Sequence, residues 1–272
     1  MIKFGVISSS KLTPAVLTGG TLYSDATHNY RAFTASGSFT VAGVPLAVET
    51  LMIGGGGNTS SSPYAAGGGA GQVTSYNDTL SIGTYTCTIG SAGSSTTVGS
   101  INRTANAGGS GGSQTGGTSG NGFAGGTNHP SGGGGGAGAI GGNGYQNPQY
   151  SDRSAGSGGA GTSAYSSFGF ATGIGQQYTA YVYPTGYLPT VVYFGGGGGG
   201  AGGHPLSNEQ PGGGGLGNGG SGSYYEPHHS YATALSRQGA PNCGGGAGGF
   251  FYYGMAGASG LIVFKYLKSA GN

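Results

Sequence analysis

Six carboxylates, Asp25, Glu49, Asp78, Asp152, Glu209 and Glu226, are the only acidic side chains in the 272-residue chain. Glycan hydrolysis needs two of them on either side of a scissile bond, and only Glu209 and Glu226 flank the same glycine run. Single acids in solvated loops explain the set better, so no catalytic residue is expected. Metal chemistry would draw on His129, His204, His228, His229 and Cys243. Adjacent histidines on an extended chain do not easily face one site, and no C-x-x-C pair supports them, so neither metal nor cofactor is expected. G-x-G-x-x-G can be written many times, but never between a strand and a helix as a dinucleotide site requires. No lysine stands between Lys11 and Lys265, which removes the phosphate-cradling G-x-x-x-x-G-K. The chain reads as a non-enzyme.

Aromatic side chains carry the positive signal. Residues 161–194 hold Tyr165, Phe168, Phe170, Tyr178, Tyr181, Tyr183, Tyr187 and Tyr193. Residues 223–243 hold Tyr224, Tyr225, His228, His229 and Tyr231. Tyrosine offers a large rigid face and a polar tip at low entropic cost, the chemistry of binding loops. The alternative is that the rings wrap the glycine segments and build a satellite core. That alternative is favoured for residues 191–194 (VVYF), which alternate as a strand. For 178–187 and 224–231, Pro184, Pro227 and polar neighbours favour exposed binding loops. Candidate binding residues are therefore Tyr165, Phe168, Tyr178, Tyr181, Tyr183 and Tyr187, with Tyr224, Tyr225, His228, His229 and Tyr231. Tyr64 and His129 join them from two other loops.

Those loops must be held by something, and the chain offers mainly glycine. Seventy Gly and 11 Pro make up about 30% of the residues, a fraction that marks either a collagen-like array or disorder. Disorder wants few aromatics and high net charge. This chain has 19 Tyr, 10 Phe, 5% charged residues and a net charge of +2. Six consecutive glycines at 195–200 exclude a helix interior or a packed strand. The ordered option is an extended helix of three residues per turn, packed so closely that only hydrogen fits at the contact. No long G-X-Y register is kept, which argues against a collagen triple helix. Ordering each glycine costs about 1–2 kcal/mol, while one hydrogen bond returns only about 0.5–1.5 kcal/mol. One such helix is unstable alone; several, clamped to a sheet, can hold.

The clamp is legible at both ends of the chain. Residues 2–8 (IKFGVIS) read as a strand, and 30–41 as a hairpin turning at Ser36-Gly37. In 46–53 (LAVETLMI), Leu46, Val48, Thr50 and Met52 share one face. Tyr85, Cys87 and Ile89 alternate with Thr84, Thr86 and Thr88. At the end, Leu261, Val263 and Lys265 face one way and Ile262, Phe264 and Tyr266 the other. From Ala105 to Ala258 no helical periodicity survives. The expected fold class is all-β and irregular: a β-sandwich-like base carrying packed polyglycine II helices, with essentially no α-helix. The domain reading is a β base with the first glycine runs at 1–107, a bundle with binding loops at 108–259, and a returning strand at 260–272.

Charge and hydropathy exclude several partners. Eight scattered Lys/Arg give no basic stripe for nucleic acid, and no run reaches the roughly 20 apolar residues of a membrane span. The first residues lack the apolar core of a secretory signal, so the N-x-S/T sites at Asn58, Asn77 and Asn102 carry no weight. Cys87 and Cys243 need not pair.

The order FTASGSFTVAG, ETLMIGGGG, AAGGGAGQV, GTYTCTIGSAG, repeated GGGGGAG and final GASGLIVFKY resembles the glycine-rich domain of bacteriophage tail-fibre tip adhesins, over about residues 18–266. The resemblance to adhesins of T-even-like phages implies a polyglycine II bundle whose variable loops bind the host surface. Implied partners are a host outer-surface protein or polysaccharide and a tail-fibre protein at the β base, with a homotrimer left open. Implied localisation is the virion, at the fibre tip, after synthesis in the host cytoplasm. The glycine-rich domain of a receptor kinase related to anaplastic lymphoma kinase shares the grammar, but without a signal or kinase segment here. A structural or antifreeze-like polyglycine II protein is the competing class. If each glycine run crosses the bundle once, residues 58–66, 123–131, 162–194 and 223–243 fall at the distal end. The same count puts 145–155, 204–211 and 250–258 near the base.

Overall fold

The structure is a computed structural model that describes residues 14–146, 153–178, 181–182, 186–187, 190–202, 209–223, 238–250 and 252–270. The strand expected at 2–8 lies outside them. Alternating apolar and polar residues build β1 (Val16–Thr18), β2 (Thr21–Ser24), β3 (His28–Phe33), β4 (Gly37–Ala42) and β5 (Leu46–Ile53). β6 (Val73–Leu80), β7 (Gly83–Thr88), β8 (Thr96–Val98), β9 (Arg103–Ala105) and a terminal strand, Leu261–Leu267, complete the base. They form two five-stranded antiparallel sheets, β1-β4-β7-β8-β9 and β2-β3-terminal strand-β5-β6. Residues 30–41 are not a hairpin: β3 and β4 belong to different sheets, and 34–36 is a corner between them. Alternation alone cannot tell a turn within a sheet from a step between sheets. Phe33 and Phe39 meet from opposite sheets, centroids 5.9 Å apart.

The faces separate as their periodicity requires. Leu46, Val48, Met52, Ile262, Phe264 and Tyr266 bury against Leu17, Phe39, Val41, Tyr85, Cys87 and Val98 of the other sheet. Phe39 stacks on Tyr85 at 4.8 Å and leans on Phe264 at 4.4 Å. Burial pushes the Cys87 thiol up to about 12. Thr50 is wholly buried, and its Oγ1 has no hydrogen-bond partner. A buried, unsatisfied hydroxyl costs about 1–3 kcal/mol. Thr50→Val keeps the branched shape, so it is expected to raise stability by about 1 kcal/mol in urea unfolding; a loss of similar size would show that the hydroxyl is satisfied.

The other face of the second sheet is covered from within 165–174 and by Val192 and Phe194. The one α-helix among the described residues, α1 (Ser166–Thr172), sets Phe168 against Tyr30, with Val192 and Phe194 beside Leu51, Ile53, Val73, Leu261 and Val263. The SSFGFAT segment shows no useful helical period and contains a glycine. Seven residues do not hold a helix by propensity; packing of Phe168, Gly169 and Thr172 does. A β-carbon at Gly169 would strike Val192.

Between these strands run the glycine segments, and their hydrogen bonds define them. In leg 65–72 the donors at 66, 69 and 72 reach the carbonyls of 112, 109 and 106. Those at 67 and 70 reach 132 and 135, and those at 68 and 71 reach 247 and 244. Every third N–H returns to the same neighbour, the signature of a three-residue turn of the polyproline II class. The same leg accepts bonds from 54–57, from 117–120 and from 198–201. Six extended neighbours thus surround it in a close-packed lattice. Its backbone is satisfied without a helix or a sheet.

The numbering of those bonds also gives direction. Residues 54–57, 107–112, 123–127, 139–144, 195–202, 218–223 and 244–249 lead away from the sandwich. Residues 65–72, 115–120, 131–136, 155–161, 209–216 and 254–260 lead back. Gly195 (φ 69°) and Gly244 (φ 65°) turn the chain from the base into outgoing legs, in a backbone region that disfavours side chains. Side-chain amides finish the base turns. Asn121 Oδ1 accepts from Val73 N at 2.8 Å, and Gln176 Oε1 accepts from Gly217 and Asn218 N at 2.6 and 2.9 Å.

Candidate functional site

The bundle ends in turns that lie far from the sandwich. Residues 59–64 close the first outgoing leg and 127–131 another, and Phe250, Tyr252 and Tyr253 lie at the end of a third. They touch. The Tyr64 and His129 rings lie 4.7 Å apart, and Tyr252 N donates to Ser62 O at 3.3 Å. Phe250 and Tyr253 pair at 5.3 Å and bridge through their backbones. Tyr145 continues the row, because Gly144 N donates to Thr127 O at 2.8 Å just before it. Tyr145, Tyr252 and Tyr253 are 59%, 57% and 61% exposed. The far end therefore carries a track of aromatic side chains on adjoining turns, interleaved in the sequence with Ser61, Ser62, Thr127, Asn128 and Gln146.

Two residues expected from sequence, Tyr64 and His129, meet in this track. Tyr165 and Phe168 lie at the opposite end, on the sandwich, where Phe168 is 1% exposed. Tyr178 is exposed and meets Tyr193 edge-on at 6.3 Å. It belongs to a strand, Gln176–Tyr178, that pairs with Val191–Tyr193 beside the base. Tyr181 and Tyr187 face each other in backbone register, but their side chains lie outside the description. Tyr183, Tyr224, Tyr225, His228, His229 and Tyr231 lie outside the described residues.

The one-crossing count fails for a physical reason. Ser113, Gln114 and Thr115 interrupt the run at 108–122, and the chain reverses there: Gly112 N donates to Thr115 O at 2.8 Å. The run at 132–144 reverses likewise at 137–139, where Gly136 N donates to Ala139 O at 2.8 Å. Each run is two legs, and the parity downstream inverts. The described parts of 162–194, from 162–178 and 190–194, thus sit at the base, whereas Tyr145, Phe250, Tyr252 and Tyr253 sit at the far end. Residue 223 ends an outgoing leg, while 238–243 lie against the base. The signal was the short polar or alanine interruption inside each run.

Charge gathers on the sandwich. Arg103 grips Asp78 at 2.6 Å over the Tyr76 ring, and Lys265 Nζ meets Glu49 at 3.1 Å. The Tyr30 hydroxyl and the amides of His28 and Thr27 hold the exposed Asp25 carboxyl well below its usual range. At the far end, among described side chains, Arg153 is the only charged group besides the ionisable His129. Cys87 and Cys243 are buried and unpaired with each other. Among the described residues, no three His, Cys, Asp or Glu side chains come together as a metal site, and no helix is long and apolar enough to cross a membrane.

No curated protein and no solved structure matches the chain. A family model described as glycine-rich domain matches residues 34–267, from the sheet-to-sheet corner to the end of the terminal strand. With that span, and with strands and glycine legs alternating throughout it, the chain belongs to the glycine-rich domain family.

Proposed function

We propose that this chain is a non-catalytic host-recognition tip of a bacteriophage tail fibre, joined to the fibre by its sandwich and binding a cell-surface receptor with its far-end turns. One observation carries the reading: the molecule has two chemically different ends. Ala15 N donates to Ala270 O at 3.2 Å, so both described termini meet on the sandwich at the side remote from the bundle. The opposite end bears the exposed aromatic track on rigid legs. Recognition is commonly carried by loops on a stiff scaffold, and tyrosine-rich loops suit it. The order of strands and glycine runs shared with tail-fibre adhesins supports the same assignment.

The test is binding of the labelled chain to a panel of bacterial strains. Saturable binding to some strains and not others is expected. Replacing residues 250–253 with Gly-Ser-Gly-Ser should abolish it while leaving the melting temperature unchanged. Binding to no strain, or arrest of ice growth by the chain, would favour the structural or antifreeze class instead.

A further inference from the structure

We infer that the far-end track binds an uncharged oligosaccharide stretch of a surface polysaccharide; this rests on the adhesin reading above. The track has a sequence fixed by contacts. Tyr145 follows the leg beside Thr127, His129 meets Tyr64 at a tilt of 55°, the Ser62 carbonyl receives the Tyr252 amide, and Tyr253 packs on Phe250. Three of its rings are more than half exposed. A ring that is half solvated presents a flat apolar face and an aligned hydroxyl. That combination fits a pyranose, whose C–H face stacks while its equatorial hydroxyls find side-chain and backbone partners.

Charge decides between glycan classes. An anionic polymer, rich in phosphate or carboxylate, is recognised by forks of arginine or by lysine. Tyr64, His129, Tyr145, Phe250, Tyr252 and Tyr253 include no permanent cation, and their polar companions Ser61, Ser62, Thr127, Asn128 and Gln146 are neutral. Arg153 is the one described cation near them, and its backbone is in register with Glu209. A protein receptor would be expected to meet a central cluster of aromatics with arginine, ringed by residues that exclude water. Here the rings are strung out along several turns with hydroxyls and amides between them. A row of that kind matches a chain of repeating sugar units.

The experiment takes a strain to which the labelled protein binds and treats the washed cells separately with periodate, which cleaves vicinal diols, and with proteinase K. Periodate should lower binding at least about tenfold, whereas protease and 0.5 M NaCl should leave it within about twofold. Tyr252→Ala combined with Tyr253→Ala should weaken binding about tenfold without changing the melting temperature. Tyr178→Ala, beside the base, should leave it unchanged. Loss after protease but not after periodate would overturn the glycan assignment and leave the adhesin reading standing. Loss in 0.5 M NaCl would overturn the requirement that the glycan be uncharged. Failure to bind any strain would overturn both readings.

Discussion

Gly198→Val is expected to cost about 3–5 kcal/mol, enough to abolish the cooperative melting of the bundle at ordinary temperature. Gly198 stands where its own leg meets three others. Its N–H donates to Gly68 O at 2.9 Å, and its carbonyl accepts from Gly134 N at 2.7 Å. A β-carbon there would overlap the Ala247 carbonyl oxygen, which itself receives the Gly68 N–H at 2.8 Å. Relief cannot come from a rotamer, because the obstructing atom is backbone held on both sides. The substitution therefore overpacks the lattice and breaks a buried hydrogen bond together. Gly213→Ala is the matched control. Gly213 is exposed, and a methyl there comes no closer than 4.0 Å to its nearest neighbour, Ser157 Oγ. It should leave the protein unchanged or up to about 0.4–1 kcal/mol more stable, by restricting the unfolded chain. Calorimetric melting separates the two. Equal melting of both variants would mean that 195–202 is a solvated tether.

The lattice was legible in the sequence because it follows from exclusion. Six glycines in a row leave the backbone few ordered states, and the surrounding aromatics and low charge argue against solvated disorder. Strand faces were legible for the same kind of reason. Leu261 and Val263 go one way and Ile262, Phe264 and Tyr266 the other because a strand's period leaves no choice. What periodicity cannot carry is direction. Nothing in GGSGGSQTGGTSG states that Ser113, Gln114 and Thr115 turn the chain rather than continue the leg, since a three-residue helix accepts serine and threonine at its outer positions. Only the partners across the lattice decide. The same holds at 34–36, where alternation persists across the step from one sheet to the other. The far-end residues Tyr145, Tyr252 and Tyr253 escaped the sequence reading through this inherited parity, while Tyr64 lies upstream of the first hidden reversal. His129 falls on the far side in either count, because it follows one hidden reversal but also one extra crossing at 123–127.

Phe168→Ala should cost about 3–5 kcal/mol, the range for emptying an aromatic site in a packed core, and should leave receptor binding unaltered in the fraction that folds. Phe168 is 1% exposed, meets Tyr30 edge-on at 6.0 Å, and has Lys265 Nζ 5.5 Å from its ring centre. Its removal opens a void between α1 and the sheet that also receives Val192 and Phe194. Because α1 is short and Tyr165 at its N-terminal boundary makes no side-chain cap, it is held by this packing together with the Ser166 hydroxyl, which bonds the Val192 backbone. The cap over the second sheet should therefore loosen first. The bundle stands on that sheet through β5, β6 and the terminal strand, so loosening at the cap is transmitted to the legs as lost stability rather than as a changed far-end surface. Phe168→Leu, which refills most of the volume, should recover much of the loss and provides a folded sample if the alanine variant fails. Unfolding free energy by urea titration and cell binding at matched folded fraction give the two readouts. Lost binding at unchanged stability would return Phe168 to the recognition surface and refute its place in the core.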